Sequence, residues 1–182
     1  MSLPKFSILL ESETFTFTAR HFITYRIGNK DAEPITEPIH EHRFRIAAVI
    51  SGPLDTEGLL IDFHRASLIL SDILNRCRNK LFVALHQPGI TITRPVPEQI
   101  EIRFRSESPE TGETKEECLI IPADQTVLLD TINGSAEQIV LALAQLFRTQ
   151  LEKEGAFLFP PENYCVTLTL EESPGMKASV TL

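Results

Sequence analysis

Apolar and polar residues alternate over FTFTARHF, with Phe15 and Phe17 on one side and Thr14, Thr16 and Thr18 on the other. A period of two marks a half-buried strand, because successive side chains leave a sheet on opposite faces. With FSILL upstream, residues 5 to 23 read as a hairpin turning at Glu11 to Glu13. The GNKDAEPITEP stretch, Gly28 to Pro38, has two prolines and little periodicity, so it reads as a loop. HEHRFRIAAVI then resumes the alternation as a second strand, and SGPLDTEG is turn chemistry.

The period next changes to that of a helix. Phe63, Ala66, Leu70, Ile73, Leu74 and Cys77 recur at three and four, Asp62 is placed to cap them, and NRCRNK brings cations to the helix's negative end. Those cations equally suit a rim near a phosphate-bearing ligand. QIEIRF (Gln99 to Phe104) and CLII (Cys118 to Ile121) flank a polar, glycine-containing tip and predict a second hairpin. INGSAEQIVLALAQLFRTQLEKEG predicts a second helix with Ser135 and Gln138 as a capping box. Ile139, Leu143, Leu146, Phe147 and Leu151 form its stripe, and Gly155 is its stop. YCVTLTL reads as a strand, and MKASVTL as a short final one. No repeat or linker interrupts the chain, so 1–182 reads as one α+β domain.

Composition narrows the function classes. The 182 residues carry 17 basic and 25 acidic side chains, for a net charge of -8, and the basic residues form no dense run. This disfavours nucleic acid and anionic membrane as partners, and a small anionic substrate would need a locally basic pocket. Cys77, Cys118 and Cys165 are far apart without CxxC spacing, and read as reduced packing thiols. With no long apolar run and no charged leader, the expected location is cytoplasmic.

The candidate chemistry lies in HEHRF. His40 and His42 stand two apart on a strand, so both imidazoles project from one face while Glu41 takes the other. His21 ends the preceding strand segment, and pairing of the two segments brings a third imidazole to the same place. Three neutral nitrogen ligands with an open fourth position describe a catalytic zinc site better than a closed structural one. An HxH pair also occurs on polar strand faces that bind nothing.

FxxRHF, HEHRF and GLLIDF, followed by an amphipathic helix, together resemble the family of 6-pyruvoyl-tetrahydropterin synthase and 6-carboxytetrahydropterin synthase. Its members read FxAxH, HGHNY and GxxxDF at these points, and the likeness covers roughly residues 14 to 174. The resemblance implies a T-fold, an antiparallel four-stranded sheet carrying two helices on one face, here with an extra hairpin. It also implies a homo-oligomer, a trimer or hexamer with sites between subunits. His21, His40 and His42 would hold zinc, and Ser135 and Glu137 match the family's TAEN turn. Glu171 matches the carboxylate that grips the guanidino edge of the pterin, a role suited to an acceptor of two parallel N–H donors. A solvated strand end also accounts for Glu171.

The likeness breaks where protons move. Typical members carry a cysteine base between the first histidine and HGH, and this loop has none. Some relatives use a glutamate three residues before HxH, where Glu37 stands, and a partly buried carboxylate suits a general base. A solvated loop carboxylate fits the same position. Cys77-Arg78-Asn79 replaces the LDH triplet that supplies an Asp-His pair, and neither Arg78 nor Asn79 shuttles protons near neutral pH. His86, a few residues on, is the candidate substitute, though a loop histidine is more often simply exposed, as His64 is expected to be on the first helical turn. HGH has also become HEH, a change directed away from the metal. The leading expectation is a zinc-dependent pterin synthase-like lyase acting on dihydroneopterin triphosphate or a related pterin. The alternatives are a related heterocycle handled with another base, or a catalytically altered zinc-containing oligomer that only binds a pterin or purine.

Overall fold

The structure is a computed structural model that describes residues 6–26, 31–107 and 111–182. In chain order the strands and helices are β1 (Phe6–His21), β2 (Thr24–Tyr25), β3 (Ile35–Thr36), β4 (His40–Gly52), α1 (Phe63–Cys77), β5 (Lys80–Ala84), β6 (Thr91–Thr93), β7 (Gln99–Glu107), β8 (Thr114–Pro122), β9 (Thr126–Leu129), α2 (Ala136–Lys153), β10 (Cys165–Ser173) and β11 (Met176–Thr181). The chain gathers into two compact units. One holds residues up to Phe17 with Arg43–Arg78 and Val140–Leu182, and the other holds Thr18–His42 with Asn79–Ile139.

In the first unit the strand order is β11-β10-β4-β1. β10 pairs antiparallel with β4 from Cys165↔Ser51 to Glu171↔Arg45, and with β11 on its other side. The alternation seen in the sequence becomes burial: Phe44, Ile46, Ala48 and Ile50 of β4 and Val166, Leu168 and Leu170 of β10 are buried at every second position. Asp62 caps α1 as expected, its Oδ1 accepting from the His64 and Arg65 backbone N–H groups. The buried stripe of α1 is Ala66, Ile69, Leu70, Ile73, Leu74 and Cys77, whereas Phe63 is exposed. α2 closes with Gly155 at φ 61°; the Ala156 N–H bonds to Leu151 O and the Gly155 N–H to Glu152 O, a Schellman ending. Tyr164 is buried with its hydroxyl accepting from the backbone N–H groups of Leu158 and Phe159. Gly52 is required beside it, since an added Cβ would lie 2.5 Å from the tyrosine ring.

In the second unit the end of β1 pairs parallel with β5 at Ala19↔Lys80 and Arg20↔Leu81, and β5 pairs parallel with β9. A further sheet has the order β2-β3-β7-β6, with β8 on β7. Phe22, Leu81, Val83, Ile100, Ile102 and Phe104 form its core cluster.

Several expectations change. The predicted turn at Glu11 to Glu13 is absent: β1 runs unbroken for 16 residues, and ESE contains no residue suited to a left-handed or proline-fixed turn. The Gly28 to Pro38 loop contains β3, which pairs with β2 and with Ser106 of β7; residues 27–30 lie outside the described residues. The second hairpin is longer than expected, running from Gln99↔Pro122 to Glu107↔Thr114, and residues 108–110 of its tip lie outside the described residues. β5, β6 and β9 were not predicted. In α2, Leu146 is exposed and Val140 and Ala144 join the buried stripe. Gln138 departs from the capping box, its Oε1 accepting from the Ile132 N–H.

Candidate metal centre and its surroundings

The pleat of β4 delivers two of the three imidazoles. His40 and His42 share their parity with buried Phe44 and Ile46, and Glu41 is exposed on the other face. His21, the last residue of β1, is 2% exposed. The three rings converge, with centroids 4.5 Å apart for His21 and His40, 5.2 Å for His21 and His42, and 4.9 Å for His40 and His42. One ligand atom from each lies within 4.8 Å of the others.

Backbone carbonyls orient two of these rings. His21 Nδ1 lies 2.7 Å from Gly134 O, and His40 Nδ1 lies 3.0 Å from Pro38 O. A carbonyl only accepts, so the proton of each neutral ring sits on Nδ1 and the Nε2 lone pair is left to bind a metal. This tautomer, a hydrogen-bonded far nitrogen and a three-imidazole donor set are what a divalent ion such as zinc takes from protein.

Glu37 stands beside this group. Its Oε1 accepts from the Ile23 N–H at 2.9 Å and lies 3.6 Å from His40 Nδ1, and its own N–H bonds to Ile23 O. β3 ends at Thr36, so its pairing with β2 and β7 holds the carboxylate in place. Ser135 directly follows Gly134 and its carbonyl receives the first bonds of α2, while Glu137 is exposed in the first turn of that helix. His86 lies outside the three-histidine group. It occupies an exposed turn after β5, with Nε2 2.7 Å from Asp130 Oδ1.

Glu171 belongs to the first unit and lines a cleft of about 560 Å³ with Glu13, Thr16, Arg43, Arg45 and Glu172. Its Oε1 accepts from the Gly175 N–H at 2.9 Å, and Lys177 Nζ lies 3.9 Å from Oε2. The Gly175 N–H bond, helped by Lys177 and Arg45, holds this carboxyl below its ordinary range. Arg43 and Arg45 escaped the sequence reading because charges on the exposed face of a strand are usually solvated.

Cys77 is buried and its thiol is pushed up to about 12 by that burial, so it is a packing residue. Cys118 and Cys165 are exposed, which corrects their reading as packing residues. Arg78 and Asn79 stand where the resemblance puts an Asp-His pair. Arg78 Nε donates to Asn75 Oδ1, and the Asn79 N–H bonds to Thr18 O.

Among the described residues, no helix is long and apolar enough to cross a membrane. A family model described as 6-pyruvoyl tetrahydropterin synthase matches residues 11–181. Among solved structures, the 6-pyruvoyltetrahydropterin synthase of Plasmodium vivax is similar at 19% identity, with a TM-score of 0.74 and 98% of each chain covered. A form of it described as a catalytic residue mutant, with alanine for glutamate, matches at 18% identity with the same score and coverage. The Plasmodium falciparum synthase matches at 19% with a TM-score of 0.69, again over 98% of each chain. No curated protein matches the chain. The structural likenesses give the fold, the α+β T-fold, and with the match over residues 11–181 the chain belongs to the 6-pyruvoyl tetrahydropterin synthase family.

Proposed function

We propose that this chain is a zinc-dependent pterin lyase acting on dihydroneopterin triphosphate or a closely related pterin, as a single synthase-like domain over residues 1–182. The observation that carries the reading is the convergence of His21, His40 and His42, two of them turned by backbone carbonyls so that Nε2 is presented. When bound, zinc supplies Lewis acidity toward a substrate hydroxyl or carbonyl oxygen.

The other roles belong to the chain's own side chains. Glu37 is the general base: one oxygen is held by the Ile23 N–H, which leaves the other to accept a substrate proton. The glutamate named as catalytic in the Plasmodium vivax relative supports a carboxylate in this role. His86 is the second proton carrier. Asp130 accepts from its Nε2–H, so Nδ1 is left to take up a proton. Glu171 orients the pterin from the strand end, with Ser135 and Glu137 contributing from the start of α2. Assembly into a homo-oligomer, as the family resemblance implies, brings sites between subunits, and the location is cytoplasmic.

Arg78 and Asn79, neither of which shuttles a proton near neutral pH, stand where the resemblance puts an Asp-His pair, and this favours a second reading, a zinc-holding pterin or purine binder without turnover. Incubating zinc-loaded protein with dihydroneopterin triphosphate, beside His42→Ala, decides between them. A pterin product that forms with the parent and is lost in the variant supports the lyase. No product from protein carrying zinc supports the binder.

A further inference from the structure

We propose that Asn133 is a positioning residue for the metal centre, its one side-chain amide clamping the segment that leaves His21 to the peptide that holds the His21 ring. The inference rests on the metal-site reading above and adds a residue that touches neither the ion nor the substrate.

Asn133 Oδ1 accepts from the Thr24 N–H at 3.1 Å and from the Gly134 N–H at 2.9 Å, and Nδ2 donates to Thr24 O at 2.9 Å. The side chain therefore pairs with both backbone groups of Thr24 as a neighbouring strand would. Two N–H partners on one end and a carbonyl on the other admit a single amide orientation. Thr24 lies three residues beyond His21, and Gly134 supplies the carbonyl that holds His21 Nδ1. One amide thus fixes the segment leaving the ligand and the peptide that sets the ligand's tautomer, across 109 residues of sequence.

The clamp is itself supported. The Thr131 hydroxyl donates to Asn133 O at 3.1 Å. Gln87 Nε2 donates to Thr24 Oγ1 at 2.7 Å, which lies 3.1 Å from Thr36 Oγ1. Thr24, Thr36, Gln87 and Thr131 are all buried polar residues. These buried groups bond to one another and to the backbone, and a buried network satisfied in this way makes the structure behind the histidine group rigid. Gly134 fits the same account, because an added Cβ would meet Phe22 O at 2.3 Å. The two segments touch backbone to backbone, and only a residue without a side chain allows it.

The test measures cobalt(II) affinity by chelator competition, together with the visible cobalt absorption, for the parent, His42→Ala, Asn133→Ala and Thr131→Val. The parent is expected to bind one cobalt per chain and His42→Ala to lose it. Absence of parent binding, or full retention in His42→Ala, overturns the metal-site reading and this inference with it. Given parent binding, the clamp predicts that Asn133→Ala weakens affinity about 10- to 100-fold and alters the absorption bands, as loss of a ligand's hydrogen-bonded support does. Thr131→Val keeps shape and removes one bond, so it carries the test if Asn133→Ala does not fold; about fivefold weaker binding is expected. Affinity and spectrum unchanged within about twofold in the folded variants overturn the clamp while leaving the metal site standing.

Discussion

Glu37 shows how a side chain is positioned by the backbone around it. Its carboxylate is tied to the Ile23 N–H, two residues from His21, and the Glu37 N–H returns a bond to Ile23 O. Glu37→Gln keeps the acceptor oxygen for Ile23 but cannot take a proton near neutral pH. Turnover is therefore expected to fall about 10²- to 10⁴-fold, with zinc content unchanged. Unaltered turnover would remove Glu37 from the mechanism. HxH on a strand was readable at this scale because the pleat alone puts His40 and His42 on one face. Asn133 and Gly134 were not, since an Asn-Gly pair signals a turn and nothing local shows that its carbonyl will reach His21, 113 residues away.

Elements follow the same division between local and distant causes. The Asp62 cap and the Gly155 ending are formed by residues adjacent to their helices, and both were legible. Asp62→Ala removes the acceptor for two N–H groups and is expected to cost about 1 kcal/mol, read as a lower thermal midpoint by about 2–4 °C. No change would mean that the cap is replaced by solvent. β5 and β9 were missed because LFVA and TVLL are short apolar runs whose strand character is set by parallel neighbours distant in sequence. The turn assigned to Glu11 to Glu13 failed for a related reason: charged residues on an exposed strand face resemble a loop until the pairing partner is known. Phe63 and Leu146 had the helical spacing of core residues yet lie at the margin of their stripes, where one position of rotation decides exposure.

At the scale of the molecule, family membership and function rest on different observations. The T-fold and the match over residues 11–181 establish the family, while the reaction depends on whether three histidines hold an ion. With a net charge of -8, an anionic substrate would depend on local groups such as the arginines of the cleft beside Glu171. The acidic chain and the missing Asp-His pair were legible from composition and motif alone. The contact between Asp130 and His86 was not, because the two meet only when β5 and β9 pair. The most direct test is zinc content per chain by elemental analysis of purified parent, His21→Ala, His40→Ala and His42→Ala protein dialysed against the same trace zinc. The account predicts one zinc per parent chain and a loss of at least about tenfold in occupancy in each variant. A parent without zinc, or variants that all retain it, would contradict a metal centre on His21, His40 and His42.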